Sequence, residues 1–159
     1  MSLSCLPSFD INDVEFGELR PTGNIKFSFV KTCHGDVLEL KIMNATVSKI
    51  WEGGKASLWV SPEVYNTVKD IEASLLDLAD MNGERKSICR NHNYISVKIP
   101  DELKVVSQDR KYKPLNQGMS LDVAVQITGA WQHNSTGHGL SMKAIAAREN
   151  PKQEYDWGV

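Results

Sequence analysis

Residues 119–147, MSLDVAVQITGAWQHNSTGHGLSMKAIAA, carry two runs of period-two alternation around a polar, glycine-containing segment, the pattern of a long antiparallel hairpin. On the first arm Leu121, Val123, Val125 and Ile127 share one face, with Asp122, Ala124, Gln126 and Thr128 on the other. On the second arm Leu140, Met142, Ala144 and Ala146 share one face, opposite Ser141, Lys143, Ile145 and Ala147. Trp131 stands just past Gly129, where the first arm is expected to give way to the loop. A pair of half-apolar strands needs a sheet to cover it, and the upstream chain reads as the rest of that sheet.

Ile25, Phe27 and Phe29 alternate with Lys26, Ser28 and Val30, which predicts a half-buried strand. His34-Gly35-Asp36 reads as a turn, and Val37, Leu38, Leu40 and Ile42 as a second strand. A third run, Thr46 to Trp51, ends at Glu52-Gly53-Gly54-Lys55, a tight reversal, after which Ala56 to Val60 returns as a short strand. Ser61, Pro62 and Glu63 form a strong helix start, and Val64, Val68, Ile71, Leu75 and Leu78 recur at helical spacing up to Asn82-Gly83. Tyr94, Ile95, Val97 and Ile99 make a further strand stopped by Pro100, and residues 101–118 read as an exposed basic loop.

This order predicts a mainly β protein with one helix, an OB-fold-like barrel of five to six strands with the helix between the third and fourth barrel strands. A split sandwich with one docked helix is the alternative. The expected organisation is an irregular N-terminal arm over 1–22, one domain over 23–147 and a C-terminal tail over 148–159.

The chain has 159 residues, of which 41% are hydrophobic and 24% charged, enough for one soluble domain with its own core. No apolar run reaches membrane-spanning length and no signal peptide is evident, so a cytoplasmic protein is expected, without membrane partners. Cys5, Cys33 and Cys89 are odd in number and widely spaced, as free thiols in a reducing compartment are. The two sequons, at Asn44 and Asn134, are then expected to be chance.

The net charge of −2 argues against binding to nucleic acid through bulk charge, but its distribution is uneven. Residues 85–113 hold eight basic and three acidic side chains, a local +5, while residues 61–84 hold one basic and six acidic, a local −5. Trp51, Trp59, Tyr94, Tyr112 and Trp131 lie close in sequence to Lys49, Lys55, Arg90, His92, Lys111 and Lys113. Basic side chains for phosphates interleaved with aromatic rings for bases are how a single strand is held. Core packing is the competing explanation for each tryptophan. Tyr112, between Lys111 and Lys113 in a polar loop, is expected to be exposed.

Two other constellations are weaker. Cys33-His34 and Cys89-x-x-His92 could supply four zinc ligands, but adjacent residues serve one tetrahedral ion poorly, so no metal or other cofactor is expected. His133 and His138 share the hairpin loop with Ser135 and Thr136, yet no acid is placed to orient either ring, and no nucleophile elbow, P-loop or His-Glu-x-x-His is present. The chain is not expected to be an enzyme.

With its element order over residues 23–147 and the hairpin Ile127-Thr128-Gly129-Ala130-Trp131 to Gly139-Leu140-Ser141-Met142-Lys143, the chain resembles the compact OB-fold single-stranded-DNA-binding proteins of bacteriophages and large DNA viruses. The resemblance implies binding without chemistry, in replication, recombination or repair, in the host cytoplasm or nucleoid. The side chains expected to contact phosphate are Lys49, Lys55, Arg90, Lys98, Lys111 and Lys113, and those expected to stack are Trp51, Tyr94, Tyr112 and Trp131. Glu154-Tyr155-Asp156-Trp157 is similar in type to the acidic, aromatic tail through which the family recruits replication proteins, though less acidic. Self-association is left open. A structural or assembly β-sandwich protein, such as a capsid-associated subunit without nucleic-acid binding, is the alternative favoured by the near-neutral charge.

Overall fold

A computed structural model describes residues 5–134 and 136–150. In chain order these form β1 (Cys5–Pro7), a 3-10 turn (Ile11–Asp13), β2 (Val14–Phe16), β3 (Arg20–Thr22), β4 (Ile25–Thr32), β5 (Leu38–Trp51) and β6 (Lys55–Trp59). There follow α1 (Pro62–Ala79), β7 (Glu84–Arg85), β8 (Cys89–Arg90), β9 (Tyr94–Lys98), β10 (Val105–Val106), β11 (Tyr112–Lys113), β12 (Ser120–His133) and β13 (Gly137–Glu149). β5, β6, β9, β13 and β12 pair in that order, and β12 also pairs with β5, so the ring closes into an OB-like barrel. β4 lies against β12 outside the ring. With β4 as sixth strand, three strands precede the helix and three follow it.

The alternation read from the sequence fills the barrel. Leu38, Leu40, Ile42, Leu58, Ile95, Leu121 and Ile127 are fully buried. The two runs expected on either side of Asn44 are one continuous strand, β5, because Asn44 absorbs the bend itself in a left-handed conformation (φ 57°). Its N–H donates to the Asp122 carboxylate at 3.0 Å, and Arg148 Nε and Asn150 Nδ2 donate to the same group at 3.0 and 2.6 Å. Asn44 thus lets β5 curve around the barrel without breaking. At the end of β5 the reversal holds as expected: Gly53 and Gly54 both have positive φ (89° and 80°), which side-chain-bearing residues adopt at a cost.

Several expectations need correction. Residues 5–22 are not an irregular arm: β1 pairs with β5, β2 and β3 pair with β4, and Cys5 is buried. Strands of three residues are too short to show the alternation that marks central strands. The expected loop at 101–118 contains β10, which adds to β13 with Val105 buried, and β11, which pairs with β10. The hairpin connection is shorter than expected: β12 runs through Trp131 to His133 and β13 begins at Gly137. On β13 a bulge shifts the register between Ala144 and Ala146, so Ala147 turns inward while Ala146 faces out.

The helix starts where expected, with the Ser61 hydroxyl accepting the N–H of Val64 at 3.3 Å. It ends at Ala79, before Asn82-Gly83, because Asp80 takes the left-handed cap position (φ 49°). Its buried face comprises Val64, Val68, Glu72, Leu75 and Leu76, while Leu78 is 51% exposed. Leu76 replaces Leu78 because it follows Val68 and Glu72 at four-residue spacing on one face, and beyond α1 the chain turns to meet the hairpin. There Asn82 N–H donates to Gln132 Oε1 at 3.2 Å and His138 Nδ1 lies 3.1 Å from the Asn82 carbonyl. No helix among the described residues is long and apolar enough to cross a membrane.

Candidate nucleic-acid interface

The outward face of β5, β6 and β9 is ordered into cross-strand rows. Register alone places Trp51 beside Lys55, Lys55 beside Lys98, and Lys98 beside Lys143 of β13. A second row sets Trp59 beside Tyr94 and Tyr94 beside Arg90 of β8. Between them Lys49, Ser57 and Ser96 form a middle row, so that two hydroxyl-bearing side chains floor the space between two rows that each carry aromatic and basic side chains. The result is an open trough of about 570 Å³ bounded by Lys49, Trp51, Lys55, Arg90 and Tyr94.

Trp51 is presented to the trough rather than packed away, and is 47% exposed. The Lys49 ammonium stands over its ring, 3.7 Å from the centroid, and its indole N–H donates to Ser57 Oγ at 3.3 Å. These contacts tie the indole to its neighbours while leaving about half of the residue exposed. Ala56 and Leu58 on β6, and Ile95 and Val97 on β9, turn inward, which is why their neighbours must face out.

Two further recesses continue the trough. One, of about 100 Å³, lies where β9 and β13 diverge and is lined by Lys55, Lys86, Arg90, Lys98, Trp131 and Ser141 among others. The other, of about 580 Å³, lies over Gly53-Gly54 and includes Lys55, Lys98, Asp101 and Lys143. Lys55 borders all three. Trp131 reaches the small recess because its strand partner is Gly139: a Cβ there would lie 2.9 Å from the indole and 2.7 Å from the Lys86 carbonyl oxygen. Along the whole path the cations are Lys49, Lys55, Lys86, Arg90, Lys98 and Lys143, and Asp101 is the sole acid lining it among the described residues. Of the cations, Lys86 alone is ion-paired among the described residues, with Glu84 at 2.9 Å.

Seven of the ten residues singled out from the sequence therefore come together: Lys49, Trp51, Lys55, Arg90, Tyr94, Lys98 and Trp131. Lys111, Tyr112 and Lys113 do not line these recesses. They sit on and beside β11, at the far edge of the sheet, where Tyr112 is 70% exposed and Lys113 forms an ion pair with Glu149. Sequence reasoning missed Lys86 and Lys143. For Lys143 a signal was present, since the alternation of β13 puts it on the face opposite Leu140 and Met142.

The remaining candidates are dispersed. Cys33 and His34 follow β4 and are exposed, and the third ligand type near them is Asp13 rather than Cys89 or His92. Burial pushes the Cys89 thiol up to about 12, with the nearby Glu72 carboxylate adding to the shift. His133 is exposed with Nδ1 3.2 Å from Thr136 Oγ1, whereas His138 is buried, and no carboxylate bonds to either ring among the described residues. Ser135 and the tail residues Glu154, Tyr155, Asp156 and Trp157 lie outside the described residues.

No protein-family model matches the chain, and no curated relative matches it. Solved structures do. The C-terminally truncated single-stranded DNA-binding protein from bacteriophage Enc34 superposes with a TM-score of 0.51 at 14% identity, covering 88% of this chain and 97% of that one. The same phage protein untruncated gives 0.49 at 11% identity, covering 91% and 96%. Its complex with single-stranded DNA gives 0.46 at 11% identity, covering 89% and 98%. The chain shares the fold of the truncated phage protein across most of its length.

Proposed function

We propose that this protein binds single-stranded DNA along the path from Trp51 and Tyr94 to Trp131 and Lys143, and that it acts without catalysis. The observation that carries this reading is the cross-strand row Lys55–Lys98–Lys143. Adjacent strands lie about 4.8 Å apart, and like charges directly opposite one another destabilise a sheet. Three exposed lysines in register, without ion-pair partners among the described residues, concentrate positive charge along one line, and a phosphate backbone is a ligand that suits them. Lys49, Lys55, Arg90, Lys98 and Lys143 are the phosphate contacts in this reading, and Trp51, Tyr94 and Trp131 the stacking platforms. The likeness in fold to a phage single-stranded DNA-binding protein supports it. A role in replication, recombination or repair in the host cytoplasm, with replication proteins as partners, follows from the same reading.

The test is a titration of intrinsic tryptophan fluorescence with oligo-thymidine at low and high salt. Quenching that saturates at low salt and weakens steeply as salt rises is expected. Absence of both quenching and a mobility shift at low salt would overturn the reading and leave an assembly role as the better account.

A further inference from the structure

We propose that Asp13, Cys33 and His34 form a binding site for a divalent transition-metal ion of the zinc class, separate from the DNA path. Their carboxylate, thiol and imidazole ligand atoms all lie within 4.8 Å of one another, the sole trio of this kind among the described residues. None of the three borders the trough or its two continuations.

The trio arises from backbone that is already held in place. Strand pairing sets Val14 opposite Thr32, so Asp13 and Cys33 are the next facing pair, and the Cys33 N–H donates to the Asp13 carbonyl at 2.7 Å. His34 follows in the turn between β4 and β5. That turn is closed by Gly35 N–H to the Thr32 carbonyl (2.9 Å), Thr32 N–H to the Asp36 carbonyl (2.9 Å) and Asp36 N–H to Thr32 Oγ1 (3.0 Å). Zinc bond lengths place tetrahedral ligand atoms about 3.3–3.6 Å apart. Each pair of ligand atoms is thus at most about 1.5 Å from a ligating separation, a distance that rotation of partly or fully exposed side chains supplies. Adjacent cysteine and histidine are a poor pair alone, but the third ligand comes from a different segment and approaches from across the strand pair.

Thiolate and imidazole together select zinc, cobalt or nickel over calcium or magnesium, which prefer all-oxygen sites. With three protein ligands the fourth position stays open to water. A bound ion would join the 3-10 turn at Ile11–Asp13 to the β4–β5 turn and so fasten the N-terminal segment to the sheet. The other two thiols do not compete: burial pushes Cys5 up to about 11 and Cys89 up to about 12, so neither is a ready thiolate at neutral pH.

The experiment is titration of the reduced, untagged full chain with Co²⁺, followed by displacement with Zn²⁺. A saturable thiolate-to-cobalt charge-transfer band that Zn²⁺ abolishes is expected. C33S should lose the band, C89S should retain it, and D13N and H34Q should each weaken cobalt binding by about tenfold or more. Circular dichroism of each variant checks that it is folded. No band in the unsubstituted protein, an unchanged band in C33S, or unchanged affinity in both D13N and H34Q would each overturn the site. Because DNA binding is read separately by fluorescence, failure here leaves that reading untouched, and the reverse also holds.

Discussion

The Glu72 carboxylate, 5% exposed on α1, accepts the backbone N–H of Ile88 at 2.7 Å. Its other oxygen accepts the Ser87 hydroxyl, whose oxygen in turn accepts the N–H of Cys89 at 2.9 Å. An acid on the helix thereby anchors the segment that delivers Arg90 to the trough. Glu72→Ala should lower unfolding free energy by about 2–3 kcal/mol, since it leaves a buried N–H without a partner. Urea denaturation measures this. The same variant should weaken oligonucleotide binding more than its distance from the DNA path suggests.

Lys55 borders all three recesses, so it is the cation whose loss should be felt most. With five phosphate contacts on a single strand, log K should fall against log salt with a slope of about −3.5. Lys55→Ala should flatten that slope by about 0.7 while weakening binding to all sequences alike. Titrations at four or five salt concentrations would read both effects.

Trp51 and Tyr112 are both exposed, but Trp51 alone belongs to the trough. Trp51→Ala should cost about 1–3 kcal/mol of binding free energy, the usual worth of a stacked base. Tyr112→Ala should leave affinity for a short oligonucleotide unchanged. Equal losses from the two would move the path to include β11.

Asn44 holds a left-handed conformation in mid-strand with its N–H on Asp122. Asn44→Ala should destabilise the protein by about 1 kcal/mol, because alanine tolerates that conformation poorly, and Asn44→Gly should be near neutral. Thermal melting distinguishes the two. Asp122→Ala should cost more than either, since it strips partners from Asn44, Arg148 and Asn150 together.

Cys33 is exposed, whereas Cys5 and Cys89 have thiols raised by burial to about 11 and about 12. In metal-free native protein, a thiol reagent should label Cys33 first and reach the others only on unfolding. The raised values also set a pH dependence. Above about pH 9 the unfolded chain's thiols ionise while the folded ones keep their protons, so stability present below that pH is lost progressively towards pH 12. Denaturation midpoints at pH 8 and pH 10 compare the two regimes; a C5A/C89A variant should show a smaller drop.

The residues that form the trough were legible because they sit in short stretches of alternation. Once Ala56, Leu58, Ile95 and Val97 are assigned inward, Lys55, Ser57, Tyr94, Ser96 and Lys98 must face out, and the double glycine at 53–54 brings β5 and β6 side by side. A side chain's face is a local property of two-residue periodicity. Helix start signals are equally local, which is why Ser61 and Pro62 marked the right place.

Local patterns by themselves determined the outward and inward faces, the one helix and the mainly β character of this protein. Partnership across the fold was decided by the tertiary structure. It placed Lys143 beside Lys98, separated Lys111, Tyr112 and Lys113 from the trough, buried Glu72 against Ile88 and turned Ala147 inward through a bulge. It also folded residues 5–22 onto the sheet edge and brought Asp13 to Cys33. Each of these depends on which strand lies beside which and in what register. Register is set by the competition of all apolar faces for one core, to which no single segment holds the answer.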